Sequence, residues 1–459
     1  MIATTIGEVV AAVDGTPAGV DPSAVVTSVT SDSRLATTGS LFIALAGERA
    51  DGHDFTASAV ESGAVAVLGT RVTEAPTIVV ADVLQALGRL ARFHVDRLPR
   101  LTVVGITGSV GKTTAKDLTA AVLETAGPTV SPPGSFNNEL GLPLTVLQAT
   151  ADTRYLVLEM GARGKGHIRY LCEVAPPTIG VELGVGTAHL GEFGSTQAIA
   201  DSKAELVEAL PTMGTAILNR DDDLVTSMAD QTKAAALWFG QSVGSDVTAR
   251  DVRPDRLDRS AFTLHTPEGS AEVELQYVGE HAVPNALAAA AVGVAVGLDP
   301  ASIAKALTGA APRSRWRMEV TERPDGLVVI NDAYNASPES MRAALKSLKT
   351  IAAGRRCWAV LGEMLELGDR SVAEHDAIGR LAVRLDVQRL VVVGEGARPM
   401  YQAAGLEGSW GQESMFVPDV EGALGVLRTE LRSDDVVLVK ASRAVGLEAV
   451  ASEILAARP

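Results

Sequence analysis

The sequence predicts an α/β protein of three parts, a small mixed α/β unit followed by two units built on parallel sheets. Short apolar runs alternate with helix-length stretches: Leu101–Thr107, Tyr155–Glu159, Pro177–Leu183 and Ala216–Asn219 in the middle, then Leu327–Asn331, Trp358–Gly362, Leu390–Gly394 and Val436–Lys440. Such alternation builds parallel sheets covered on both faces. The length of 459 residues fits two to four domains at roughly 100–200 residues each. Prolines at Leu98-Pro99-Arg100 and near Pro312 mark breaks, because proline disfavours continuation of a helix.

The expected units are therefore residues 1–97, 98–312 and 313–459. The first mixes strand-like runs, Leu41–Leu45 and Ala64–Leu68, with glycine-bearing turns. The second opens on the run Leu101-Thr102-Val103-Val104-Gly105-Ile106-Thr107, which reads as a buried parallel strand. A helix follows from about Lys112 to Ala126, with Leu118, Ala121, Val122 and Thr125 on one face, and Gly127-Pro128 stops it. The third repeats strand and helix in the manner of a Rossmann-like fold. Aromatic residues make up only 4% of the chain, so the cores must be built from Val, Leu, Ile and Ala.

A net charge of −16 argues against nucleic acid and anionic membrane surfaces as general partners, since both need a basic face. Cys172 and Cys357 stand far apart and have no metal-ligand spacing. They read as buried thiols of a reducing compartment. The stretch from Met1 to Glu8 lacks the basic and long apolar regions of a signal peptide. The most apolar stretch, Ala286–Leu298, is shorter than the roughly 20 apolar residues needed to span a bilayer. A cytoplasmic protein without membrane insertion is expected.

The segment Gly105-Ile106-Thr107-Gly108-Ser109-Val110-Gly111-Lys112-Thr113-Thr114 joins that first strand of the middle unit to its helix. Glycines let the backbone wrap around phosphate, and the helix start turns free amides toward the anion. Lys112 is placed to reach the β- and γ-phosphates, and Thr113 to ligate Mg²⁺. The strict pattern wants glycine six residues before the lysine; Ile106 stands there, so this is a variant loop. By itself it signals a nucleoside triphosphate and fits a kinase or motor ATPase equally well.

Glu159 closes the run Tyr155-Leu156-Val157-Leu158. A carboxylate at the C-terminal end of a strand neighbouring a phosphate loop is where a nucleotide-hydrolysing site holds its metal. His189 follows another strand, and its place on the same sheet edge favours a metal contact. Lys203, in Ala200-Asp201-Ser202-Lys203-Ala204-Glu205, lies on a helical stretch and by spacing alone is a solvated lysine. Glu182 interrupts an apolar strand; buried and unpaired, it would be costly and would tend to take up a proton.

Taken together, these motifs resemble the Mur ligases, over essentially the whole chain, and within them the type that adds a dipeptide. The resemblance rests on Thr107–Thr114, on Ser31-Asp32-Ser33-Arg34 and Asp51-Gly52-His53-Asp54-Phe55, and on Ser135-Phe136-Asn137-Asn138-Glu139-Leu140-Gly141. Gly279–Asn285, Ser314–Glu319, Asp332–Met341, Leu361–Gly368 and Lys440-Ala441-Ser442-Arg443 extend it. The resemblance implies a uridine-nucleotide domain first, with Ser33, Arg34, Gly47, Asp51, Gly52 and His53 near the UDP group. It implies ATP on Gly108, Ser109, Val110, Gly111, Lys112, Thr113 and Thr114, with Asn285 reading the base, Arg317 reaching the phosphates and Asp332 holding the ribose. Asn137 and Asn138 then face the muramoyl peptide and γ-phosphate, Tyr334 and Asn335 belong to the substrate side, and Lys112, Lys203, His189 and Asn138 form the catalytic set. Thr113, Glu159, His189 and Lys203 would hold two Mg²⁺ ions, Lys203 as a carbamate. Gly184 stands where family members often carry Asn, Ala282 at a commonly polar position and Ala441 at a common glycine.

The activity implied is ATP-dependent joining of D-alanyl-D-alanine to UDP-N-acetylmuramoyl-tripeptide through an acyl phosphate, by a monomer needing no cofactor beyond ATP and Mg²⁺. A folylpolyglutamate-type ligase is disfavoured by the uridine-type first domain. The ligase adding the third residue is disfavoured by the missing Asp-Asn-Pro-Arg signature. An ATP-driven switch with no ligation chemistry would need neither Lys203 nor Asn138.

Overall fold

The computed structural model describes residues 1–47, 50–186, 193–409, 411 and 413–457. Its centre is a six-stranded, all-parallel sheet. In spatial order the strands are Ala235–Phe239, Thr215–Asn219, Ile179–Glu182, Thr102–Thr107, Tyr155–Glu159 and Thr129–Val130. The strand leading into the phosphate loop thus lies between the strands ending in Glu159 and Glu182. The chain reverses its direction of winding at this strand, and such a switch point opens a crevice at the carboxyl ends of the strands.

Side chains alternate across a sheet, which assigns its two faces. Val104, Ile106, Tyr155, Val157, Val181 and Leu183 pack with the helices Lys112–Glu124 and Ala282–Ala295. Leu156 and Leu158 face the other way, as do Gly105 and Gly180, which lie close under Leu206 of the helix Thr196–Glu208. Added Cβ atoms at Gly105 and Gly180 would come within 2.9 and 3.1 Å of leucine methyls of that helix and the residues after it, so glycine is what lets it lie so near.

The helix after the phosphate loop is buried beyond the single stripe expected of it. Lys116, Asp117 and Thr119 are buried along with Leu118 and Val122, whereas Thr125 is exposed. The reason is its neighbour: Ala282–Ala295 is apolar on nearly every side and packs directly on it, so the helix is enclosed between sheet and helix. The unbroken apolar run of the sequence is this interior helix.

The first five-stranded sheet is ordered Thr16–Ala18, Thr77–Val79, Ala64–Gly69, Ser40–Ile43 and Ser28–Thr30. It is parallel except for the antiparallel edge strand Thr16–Ala18. The last sheet is ordered Glu319–Glu322, Val328–Asn331, Val436–Lys440, Cys357–Leu361, Arg389–Val393 and Ser414–Val417, with only the first strand antiparallel. The strands at Leu327–Asn331, Trp358–Gly362, Leu390–Gly394 and Val436–Lys440 fall within a residue of expectation. The antiparallel meander Thr248–Pro254, Arg259–Thr266 and Gly269–Val278 was not anticipated. Its alternating polar and apolar residues cover one side of the central core. Among the described residues no helix is long and apolar enough to cross a membrane.

Candidate active site

Gly108 and Gly111 give the phosphate loop its shape, with φ of 151° and 84°, conformations that side-chain-bearing residues rarely adopt. Gly111 has a second reason to be glycine: a Cβ there would sit 2.4 Å from Asn285 Oδ1. Asn285, 6% exposed, donates from Nδ2 to the His281 carbonyl at 3.1 Å. The loop is fastened on its other side by Ser109, whose amide donates to Gly184 O at 2.8 Å and whose hydroxyl accepts from the Gly186 amide at 2.8 Å. Lys112 Nζ folds back on its own loop, donating to Gly108 O at 2.7 Å and Ser109 O at 3.4 Å.

Glu159 is 1% exposed and fully engaged. Oε2 accepts from Thr113 Oγ1 at 2.9 Å, and Oε1 accepts from Ser135 Oγ and Asn137 Nδ2, both at 2.7 Å. The loop 131–140 is thereby tied to the strand end and to the helix start. Asn138 Oδ1 caps the Gly141 amide at 2.9 Å, and its side chain lines the cleft. The oxygen donors gathered at Thr113 and Glu159 are the hard ligands Mg²⁺ prefers, so this end of the site fits that ion. His189 lies outside the described residues, and no group of three His, Cys, Asp or Glu able to hold a metal occurs among the described ones.

Lys203, 6% exposed, also lines the cleft. Burial, and then the nearby Lys112 charge, pull its ammonium down to about 7, with Glu182 opposing. Glu182 is fully buried and neither carboxyl oxygen has a hydrogen-bond partner. Burial pushes it well above the usual carboxylate range, with Lys203 pulling the other way. The cost foreseen from sequence is real, and the group that eases it is Lys203.

The opposite wall comes from the last sheet. Asp332 accepts from the Met318 amide at 3.0 Å and pairs with Lys440 Nζ at 2.5 Å; that ammonium also donates to Asn335 O at 2.8 Å. The Arg317 guanidinium lies 4.3 Å above the Tyr334 ring, and its buried Nε has no hydrogen-bond partner. Together the walls enclose a cleft of about 590 Å³ lined by Ser109–Thr114, Asn137, Asn138, Glu159, Lys203, Asn285, Arg317, Asp332, Tyr334, Asn335 and Lys440.

The structure brings the expected nucleotide residues together except for Gly108, which shapes the loop from beneath. It does not bring Ser33, Arg34, Gly47, Asp51, Gly52 and His53 to this cleft. Arg34 pairs with Asp32 at 2.6 Å and is largely exposed. His53 is buried, its Nδ1 2.6 Å from Asp51 Oδ1 and its Nε2 accepting from the Thr70 amide at 3.0 Å. Arg71 holds the second Asp51 oxygen at 2.8 Å. From these positions His53 and Asp51 fix the turn, and Gly52 must be glycine because a Cβ would lie 2.6 Å from Leu45 N. Sequence reasoning passed over Ser135 and Lys440 as site residues. Lys440 ends an apolar strand as Glu159 does, and that same signal would have found it.

Residues 25–95, 106–293 and 316–443 match three family models in turn, described as the Mur ligase family catalytic domain, the Mur ligase middle domain and the Mur ligase glutamate ligase domain. The chain belongs to the Mur ligase family. Among these ligases it is 50% identical to the UDP-N-acetylmuramoyl-tripeptide–D-alanyl-D-alanine ligase of Mycobacterium tuberculosis, over 99% of this chain and 98% of the relative. It is 34% identical to the Bacillus subtilis ligase of that name, over 99% of both. The crystal structure of MurF from Acinetobacter baumannii superposes with a TM-score of 0.87 at 32% identity, covering 99% of each chain. MurF ligase from Thermotoga maritima in complex with ADP gives 0.78 at 30% identity, covering 93% of this chain and 96% of that one. The chain is thus a Mur ligase of the MurF type.

Proposed function

We propose that this Mur ligase joins D-alanyl-D-alanine to UDP-N-acetylmuramoyl-tripeptide at the expense of ATP, giving the pentapeptide precursor of peptidoglycan. The observation that carries the reading is the single cleft in which the phosphate loop, the loop 131–140 and the last sheet meet. A phosphate-binding loop, an acidic metal corner and a cationic opposite wall are the parts that phosphoryl transfer to a carboxylate needs.

A carboxylate does not condense with an amine in neutral water, because its leaving group would be oxide or hydroxide. The terminal carboxylate of the tripeptide therefore attacks the γ-phosphorus, and ADP leaves with the electrons of the broken P–O bond. Lys112 exchanges its loop carbonyls for phosphate oxygens, and Arg317 supplies a second cation from across the cleft. The dipeptide amine then attacks the acyl carbon of the acyl phosphate. The tetrahedral intermediate collapses with loss of phosphate, and the amine proton leaves to solvent or phosphate. Asn285 packs on the loop at the adenine side, and Asp332, held by Lys440, is oriented toward the ribose. Meeting of the two walls excludes the water that would hydrolyse the acyl phosphate.

Thr113 and Glu159, with His189 and Lys203, are the residues that would hold Mg²⁺, which when bound would neutralise charge on the transferring phosphoryl group. With its ammonium lowered to about 7, Lys203 is substantially a neutral amine at neutral pH. That is the form that takes up CO₂ to become the carbamate found in this family, which would add an anionic oxygen. Ser33, Arg34, Gly47, Asp51, Gly52 and His53 are assigned to the UDP end of the substrate. A monomer acting in the cytoplasm completes the reading.

The test is direct. The protein is incubated with ATP, Mg²⁺, UDP-muramoyl tripeptide and D-Ala-D-Ala, and products are weighed by mass spectrometry. Pentapeptide, ADP and phosphate in equal amounts are expected. ATP binding without pentapeptide would overturn the reading in favour of an ATP-driven switch.

A further inference from the structure

Two charged residues in the interior of the central unit have no part in the chemistry just described. Lys116 and Asp117 follow the phosphate loop on the helix Lys112–Glu124 and are 0% and 2% exposed. Fully buried ionic groups are costly unless they are paired and hydrogen-bonded, so their connections carry the explanation. Lys116 Nζ donates to the carbonyl of Pro132 and, at 3.3 Å, to that of Gly134, and it lies 2.7 Å from Asp117 Oδ1. That last contact lacks hydrogen-bond geometry and is a contact of charges. Asp117 Oδ2 accepts from Ser314 Oγ at 2.8 Å.

Each end of this pair reaches something that matters. Pro132 and Gly134 lead directly into Ser135 and Asn137, the two donors to Glu159 Oε1. Ser314 lies three residues before Arg317, in the segment that connects the central sheet to the last one. That segment is constrained: Trp316 and Met318, flanking Arg317, have φ of 59° and 48°, a region costly for residues with side chains. Arg313 adds an ion pair to Glu124 of the same helix at 2.5 Å.

We propose that Lys116 and Asp117 are positioning residues of the ligation reaction, a buried ionic pair that locks the Ser135–Asn137 loop and the Arg317-bearing connection to the helix of the phosphate loop. Through it the acidic metal corner and the cationic wall take their places relative to the triphosphate from one rigid element. The inference builds on the ligase reading above.

Kinetics of Lys116→Met, Lys116→Arg, Asp117→Leu and Ser314→Ala test it, together with amide hydrogen exchange of residues 134–138 in the ligand-free protein. Misplacement of catalytic groups by about 1 Å costs on the order of 100-fold. Lys116→Met is accordingly expected to lower kcat about 10- to 100-fold, to raise the half-saturating Mg²⁺ concentration and to speed exchange at 134–138. Its KM for D-Ala-D-Ala should not move. Lys116→Arg should recover part of the loss. The Ser314→Ala effect should disappear in the Asp117→Leu background, because the hydroxyl acts through that carboxylate. Wild-type kcat and Mg²⁺ response in a folded Lys116→Met protein overturn the inference, as do independent, multiplicative effects of Ser314→Ala and Asp117→Leu. If Lys116→Met does not fold, Ser314→Ala combined with Ser135→Ala decides: multiplicative effects overturn the lock and coupled ones support it. Absence of pentapeptide with the wild-type protein is a separate outcome and overturns the ligase reading itself.

Discussion

The strand that feeds the phosphate loop has a carboxylate on either flank, and the two could hardly be treated more differently. Glu159 and Glu182 both end apolar parallel strands, one pairing beside Ile106 and the other beside Thr107. Glu159 receives three hydrogen bonds; Glu182 receives none. Alternation explains the difference. Glu159 shares a face with Tyr155 and Val157, toward the helix that begins with Lys112 and Thr113. Glu182 shares a face with Gly180, toward the helix carrying Lys203 and a set of apolar side chains. One position looks into a polar corner prepared with donors, the other into a packed interior where Lys203, and after it Lys112, offset its charge. Placement at the edge of a nucleotide-binding sheet does not by itself make an acid a metal ligand; the face it is on decides.

The sharpest way to break this comparison is to neutralise each acid in turn. Glu159→Gln should lower kcat by about 100- to 1,000-fold, the scale seen when a group stabilising transition-state charge is removed, with the fold retained by circular dichroism. Glu182→Gln should lose far less. Equal losses in the two variants would erase the distinction.

The second test reads stability. A buried carboxyl left without a hydrogen-bond partner costs about 1–3 kcal/mol, so Glu182→Val, which removes that group, should melt at a higher temperature than the wild type. The sign with pH follows from linkage. Because the folded protein holds the Glu182 proton more tightly than the unfolded chain, wild-type stability falls as pH rises above the unfolded value of 4.5. The advantage of Glu182→Val should therefore grow from pH 5 toward pH 8. A flat difference across that range would mean that the carboxyl is solvated or paired after all.

Lys203 should show the opposite slope. Its ammonium titrates near 7 in the folded protein against 10.5 in the unfolded chain. The contribution of Lys203 to stability is thus lowest below pH 7 and recovers as pH rises toward 10.5. The stability of Lys203→Met relative to the wild type should therefore be most favourable near pH 6 and fall toward pH 9, as followed by thermal melts in matched buffers. The smallest effect is expected at Ser135→Ala. Asn137 still donates to the same oxygen, so the loss is one hydrogen bond of about 1 kcal/mol, read as a several-fold rise in half-saturating Mg²⁺. A loss as large as that of Glu159→Gln would give Ser135 a direct role.

Much of this was legible in the chain. The phosphate loop declares itself because its glycines and Gly-Lys-Thr-Thr sit between an apolar strand and a helix, all within a dozen residues. Glu159 and Lys440 show by the same local rule, a charge ending an apolar strand, although only the first was read that way. The meander at 248–278 escaped because its strands carry no chemical motif, although their alternation of polar and apolar residues is a strand signal. The helix at 112–124 was read as having one apolar stripe because nothing in its own sequence reveals that a second helix, Ala282–Ala295, encloses it.

By itself, then, the sequence determined what depends on neighbours along the chain: strand, loop and helix at the phosphate site, the parallel sheets, and the set of residues expected to meet nucleotide and peptide. Only the tertiary structure decided which distant groups share a face. It placed Asn285 against Gly111, buried Glu182 beside Lys203, turned His53 inward, and joined Ser314 through Asp117 and Lys116 to the loop 131–140. The physical reason is that charge and hydrogen bonding act over a few ångströms of space whatever the separation in sequence, so the worth of a buried polar residue is set by what packing brings to it.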